Sequence, residues 1–132
     1  MIDHISLVVK DYNQSKAFYL AALAPLGYEQ VMEMTPQTTP GLPFEGICGL
    51  GVAGKPDLWI RPGADCTPTH LAIRANDNAA VDAFHKAALA AGGKDNGAAG
   101  PRAHYHPHYY GAFVLDPNGH NLEAVCHGAL VR

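Results

Sequence analysis

Residues 3–27 read DHISLVVKDYNQSKAFYLAALAPLG, and residues 69–93 read THLAIRANDNAAVDAFHKAALAAGG. The two stretches are offset by 66 residues, half of the 132-residue chain, and align without a gap. Nine of the 25 positions are identical: His4/His70, Asp11/Asp77, Ala17/Ala83, Phe18/Phe84, Ala21/Ala87, Ala22/Ala88, Leu23/Leu89, Ala24/Ala90 and Gly27/Gly93. Chance in so alanine-rich a composition supplies about two or three matches. The histidine, aspartate, phenylalanine and glycine matches owe nothing to alanine. The chain is an internal repeat, and the repeat sets the architecture.

Each copy opens with a strand, residues 2–9 and 70–75. Ile5, Leu7 and Val9, then Leu71 and Ile73, share one face, while His4, Ser6 and Val8, then His70 and Ala72, share the other. Asp11 or Asn13, and Asn76 or Asp77, stand where a helix cap belongs. Phe18, Ala21, Ala22 and Pro25, matched by Phe84, Ala87, Ala88 and Ala91, recur at helical spacing. Each helix stops near a glycine, Gly27 or the Gly92-Gly93 pair, suited to a left-handed C-terminal turn. Three shorter strand signals follow in each copy: residues 28–34, 46–52 and 57–60, then 94–98, 110–115 and 121–126. Asp116-Pro117-Asn118-Gly119 joins the last two as a hairpin. Residues 35–44 and 97–108 read as loops. The unit is βαβββ, used twice, in a single domain with modules of about 1–66 and 67–132. The fold class is α+β: two tandem modules forming a cupped mixed sheet of eight strands, helices on its convex face.

Composition excludes several classes of function. A chain 48% hydrophobic, with 14 Gly and 10 Pro dispersed along it, is globular. A net charge of -3 from 16% charged residues offers no footprint for nucleic acid or an anionic membrane. No segment approaches the roughly 18 uninterrupted apolar residues of a membrane span, and residues 1–10 lack a signal-peptide pattern. Cys48, Cys66 and Cys126, odd in number and widely spaced, are expected as reduced thiols in a cytoplasmic protein.

In the cup, His4 and His70 look away from the helices, and an approximate two-fold brings them towards each other. Glu123 sits within an apolar strand, where an unpartnered carboxylate is costly. Two repeat-equivalent histidines and a carboxylate on one concave surface form a candidate metal triad. Each of the three alone would read as an ordinary core or surface residue.

The opening Ile2-Asp3-His4-Ile5, Phe18-Tyr19, Thr69-His70-Leu71-Ala72 and Asp116-Pro117-Asn118-Gly119-His120-Asn121-Leu122-Glu123 resemble the glyoxalase/bleomycin-resistance/extradiol-dioxygenase group, the vicinal-oxygen-chelate superfamily. The resemblance spans nearly the whole chain. It implies that His4, His70 and Glu123 bind one divalent metal (Zn, Ni, Mn, Co or Fe(II)), and that a small substrate chelates it through adjacent oxygens. It also implies a homodimer. Lyase or isomerase chemistry, extradiol-type oxygen chemistry, and metal-free ligand binding like that of the bleomycin-resistance proteins all remain compatible with it.

Glyoxalase I-type members carry a fourth ligand on the last strand of the first copy. The 66-residue offset sets Asp57 there, whereas aligning Leu58 with Leu122 sets Trp59 there. Both are expected on the concave face, Trp59 as a pocket wall and Asp57 as a possible ligand. The histidine-rich stretch 101–110 reads as a lid: Arg102 to hold an anion, and His106 or Tyr109, beside Glu123, to handle a proton. Two other readings of the lid are a separate metal site on His104, His106 and His108, and a solvated loop. Phe113 joins Trp59 and Arg102 as a substrate contact, while His85, His120 and His127 read as surface or strand-end residues.

Overall fold

A computed structural model describes residues 1–128. The order is β1 (Ile5–Val9), α1 (Tyr12–Leu23), a 3-10 turn (Ala24–Leu26), β2 (Glu29–Met34), β3 (Ile47–Val52) and β4 (Lys55–Pro62), then β5 (His70–Arg74), α2 (Asn78–Ala90), β6 (Lys94–Pro101), β7 (Tyr110–Leu115) and β8 (Asn121–Cys126). The unit is βαβββ in both halves, as the repeat requires. Of the offered caps, Asp11 and Asp77 serve: their carboxylates accept the Gln14 and Ala80 backbone amides at 3.0 and 2.8 Å. Each satisfies an amide that the first helical turn leaves unpaired.

The eight strands do not make one continuous sheet. They form two sheets of four, ordered β1-β4-β3-β2 and β5-β8-β7-β6. In each, the repeat strand runs parallel to the last strand of its module, and the remaining pairs are antiparallel. One core spans both. Leu7, Val9, Leu58 and Ile60 of the first sheet and Ile73, Val114, Leu122 and Ala124 of the second join Phe18, Tyr19, Leu23, Val81 and Phe84 of the helices. The helices also contact each other. Alternation therefore works as expected: alternate strand residues feed the shared core, and the intervening ones are left for the opposite face.

Several boundaries moved, and β4 extends two residues beyond the expected 57–60 at each end. β1 begins at Ile5, so His4 precedes the strand, and β6 runs to Pro101, three residues past expectation. No helix of the described residues is long and apolar enough to cross a membrane. The three cysteines are free, Cys48 and Cys126 buried and Cys66 half-buried.

Candidate metal and substrate site

In β8, Leu122 and Ala124 turn into the core, so Glu123 between them faces away from the helices. Registers carry that face across the sheet: Ala72 of β5 and Phe113 of β7 both oppose Glu123. His70, two residues before Ala72, shares the face and reaches back to the carboxylate, with Nε2 2.8 Å from Glu123 Oε1. The Tyr109 hydroxyl donates to the other oxygen, Oε2. Glu123 is buried, at 2% side-chain exposure, beneath a histidine that is 56% exposed. Burial, then the bond to Glu123, push the Tyr109 phenol above its ordinary value, so it keeps its proton there.

The surroundings are aromatic. The His70 and Phe113 rings lie 6.2 Å apart, and the Arg102 guanidinium stands 5.5 Å from the Phe113 ring. Arg102 was expected to hold an anion, but its guanidinium turns back onto backbone carbonyls, donating to Ala98 at 2.7 Å and Gly100 at 3.0 Å. It braces the β6 end. His106 packs against Tyr109 with ring centroids 5.3 Å apart, and its Nε2 meets His127 Nδ1 at 2.8 Å. Its Nδ1 lies 3.1 Å from the His108 amide, so a neutral His106 carries its proton on Nε2 and donates to His127. His106 thus buttresses Tyr109 without touching Glu123. His104, His106 and His108 do not gather around a common point.

The first module offers a different face. Its register places Ser6 beside Trp59 and Trp59 beside Gly49. Since Ile5 pairs with Leu58 as Leu71 pairs with Leu122, Trp59 occupies the place of Glu123. The expectation that Asp57 shares its face is corrected. A register shift between Leu50 and Gly51 makes Asp57 the extra residue of a β-bulge. The bulge turns it to Tyr28, whose hydroxyl donates to Oδ2 at 3.0 Å. His4 lies apart from His70 and Glu123. It is 54% exposed and pairs through Nδ1 with Asp3 Oδ1 at 2.6 Å. Among the described residues no three His, Cys, Asp or Glu side chains are grouped so as to hold a metal ion.

His70 and Glu123 nevertheless fit as part of a metal centre. Imidazole nitrogen and carboxylate oxygen each bind Zn at about 2.0–2.2 Å, so two such donors on one tetrahedral ion stand about 3.4 Å apart. Their 2.8 Å separation is that of a direct hydrogen bond, and the pair would open by about half an ångström to take an ion.

One cluster escaped the sequence reading. His120, read as a surface or strand-end residue, does stand immediately before β8 but is 1% exposed, its ring bridging the Val8 carbonyl at 2.7 Å and the Thr69 amide at 3.0 Å. Asp116 accepts from the Asn118 and His120 amides and from the Tyr19 hydroxyl at 2.7 Å, while Asn118 binds the Lys10 amide and Ser15. The Asp-Pro-Asn-Gly turn thereby fastens the second module to β1 and α1 of the first. Only its unusual density of polar residues beside an apolar strand hinted at this.

The architecture is therefore one of paired βαβββ modules, with an open face bearing a histidine, a buried glutamate and a tyrosine. The chain belongs to the Glyoxalase/Bleomycin resistance protein/Dioxygenase superfamily, whose family model matches residues 1–124. A glyoxalase/bleomycin resistance protein from Albidiferax ferrireducens is 25% identical, over 94% of this chain and 96% of that one, with a TM-score of 0.69. A glyoxalase I variant from Zea mays is 24% identical over 94% of this chain and 46% of its own, with a TM-score of 0.70. The fosfomycin resistance protein FosX from Listeria monocytogenes shares the fold at 19% identity and a TM-score of 0.67, over 96% and 92% of the two chains. No curated protein matches the sequence.

Proposed function

We propose that this chain is a metal-dependent lyase or isomerase, cytoplasmic and homodimeric, acting on a small substrate with two adjacent oxygens. The observation that carries the reading is the contact between His70 and the buried Glu123 on the open face of the second module. His70 and Glu123 would supply two metal donors. His4 would supply the third from a second copy, since it stands exposed and apart in its own chain. Met1 and Ile2 beside it are exposed apolar residues available to such a contact. When bound, a divalent ion there supplies Lewis-acid stabilisation of a developing oxyanion.

The chain's own groups do the rest. Tyr109 orients Glu123 and holds a proton at Oε2. Phe113, braced by Arg102, walls one side of the site, and Trp59 of the second copy would wall the other. His106 keeps Tyr109 in place through ring packing and its bond to His127.

One observation favours a second reading, a ligand-binding protein without metal: both Glu123 oxygens already have protein partners. Zinc titration of the purified chain separates the two. The enzyme reading expects about one ion per chain, with binding weakened at least ~100-fold by His70→Ala, Glu123→Ala or His4→Ala. Wild-type affinity in the His70 and Glu123 variants would end it. Wild-type affinity in the His4 variant alone would remove the second copy from the site.

A further inference from the structure

A cleft of about 570 Å³ lies between the two modules, and Ala72, the cross-strand neighbour of Glu123, is one of its lining residues. Ile5, Leu26 and Leu58 of the first module and Leu71 and Ile73 of the second line it. These are core-side residues, and neither His70, Glu123 nor Tyr109 is among them. Its size falls in the range of small-molecule sites, about 300–1,000 Å³, and its walls join apolar side chains to a few polar ones.

The β-bulge delivers a carboxylate into this apolar setting. Asp57 Oδ2 accepts the Tyr28 hydroxyl, but Oδ1 is buried with no hydrogen-bond partner among the described residues. Nor does Asp57 belong to any ion pair among them. Asp3, the other carboxylate of the lining, is already held by His4 and Lys55. Arg74, on the opposite strand, is exposed. A buried acceptor without a donor is unfavourable, and a charged one is more so. Arg74 forms no ion pair with Asp57, so among the described residues the carboxylate has no cationic partner.

We propose that the inter-module cleft is a second ligand site, taking a small amphipathic amine whose aryl or alkyl body lies on Ile5, Leu26 and Leu71 and whose ammonium group donates to Asp57. The site uses none of the proposed metal donors, although Ile2, offered above to a second copy, also lines the cleft. The amine binds where the bulge leaves Asp57 unsatisfied, and an alcohol or carboxylate of the same shape binds less well because it cannot offset the charge.

The test is titration of the full chain with 2-phenylethylamine, 2-phenylethanol and 3-phenylpropionate, followed by calorimetry and amide chemical shifts. Saturable binding of the amine is expected, with shifts at Tyr28, Asp57, Leu71 and Ile73, and with the other two probes at least ~tenfold weaker. Asp57→Asn should weaken the amine by about tenfold and bring it level with the alcohol, leaving zinc affinity unchanged. Absence of amine binding at millimolar concentration, shifts centred on His70 and Glu123, or an unchanged affinity in Asp57→Asn would each overturn the proposal. If a second copy fills the cleft instead, the amine fails to bind and Leu71→Arg lowers the mass in solution, which also overturns it. The shift map uses the wild-type chain, so it decides even if a variant folds poorly.

Discussion

The two modules begin from one repeat and finish with different open faces. At matched register positions the first has Gly49 beside Trp59, and the second has Phe113 beside Glu123. The aromatic bulk has changed strands. A Cβ at Gly49 would come within 3.0 Å of the Trp59 ring, so the indole lies across that glycine. Moving the aromatic to β7 frees the β8 position for a carboxylate. The turns differ as well. The first module closes β3 onto β4 through Ala53 and Gly54, whereas residues 116–120 close β7 onto β8 and reach across to Tyr19, Ser15 and Lys10. Duplication supplies the scaffold, and the candidate site sits where the copies diverge.

That contrast can be broken most sharply at the divergent pair. Glu123→Ala should lower zinc affinity at least ~100-fold, while Trp59→Ala, which removes no donor, should change it less than about threefold. Competition titration against a zinc chelator reads both, and equal losses would mean that the modules contribute alike. A smaller effect, on stability, is expected at the turns. Asp116→Ala strands the Asn118 and His120 amides and the Tyr19 hydroxyl in buried surroundings. A loss of about 2–4 kcal/mol in urea denaturation follows. Tyr19→Phe, which removes one of those donors, should cost about 1 kcal/mol. The first module's turn responds in the opposite sense. Ala53 holds φ at 53°, a left-handed conformation that disfavours a side chain. Ala53→Gly relieves that strain but gives up some order in the unfolded chain, for a net gain of about 0.5 kcal/mol.

The repeat made the fold legible because strand and helix periods are local properties that both copies state. Caps at Asp11 and Asp77, the hairpin at Asp116–Gly119 and the Leu58–Leu122 equivalence all follow from short-range pattern. What escaped depends on placement between elements. The bulge at Asp57 is set by how β3 and β4 meet, and strand parity counted from sequence cannot foresee the extra residue. The burial of His120 depends on where β8 begins relative to Val8 and Thr69. Arg102 read as a free cation because carbonyls available to receive it are invisible in a sequence. For the site, the meeting of His70 and Glu123 is a register consequence of parallel β5 and β8, hence readable once β8 was placed beside the repeat strand. The position of His4 is a matter of how whole modules sit, which periodicity does not encode.

An effect as small as that at Ala53 concerns how each helix is tied to its own sheet. In the first module Tyr12 and Lys16 of α1 both donate to Glu33 Oε2 of β2, at 2.7 and 2.6 Å. In the second, Tyr110 of β7 donates to Asp82 of α2 at 2.6 Å, and Asp82 forms no ion pair among the described residues. The Lys16 ammonium, then the Tyr12 hydroxyl, hold the Glu33 carboxyl below its ordinary value of 4.5. A carboxylate whose value is lower folded than unfolded stabilises fully above the unfolded value and loses that contribution as pH falls through the folded one. The Lys16–Glu33 pair is partly solvated, with 24% of each side chain exposed, so about 0.5 kcal/mol is the appropriate scale. Wild type should therefore exceed Glu33→Gln by that amount at neutral pH, and the gap should close on acidification through and below 4.5. Urea denaturation across that range reads the gap directly. A gap independent of pH would assign the tie to the uncharged Tyr12 bond, making the two helix attachments alike after all.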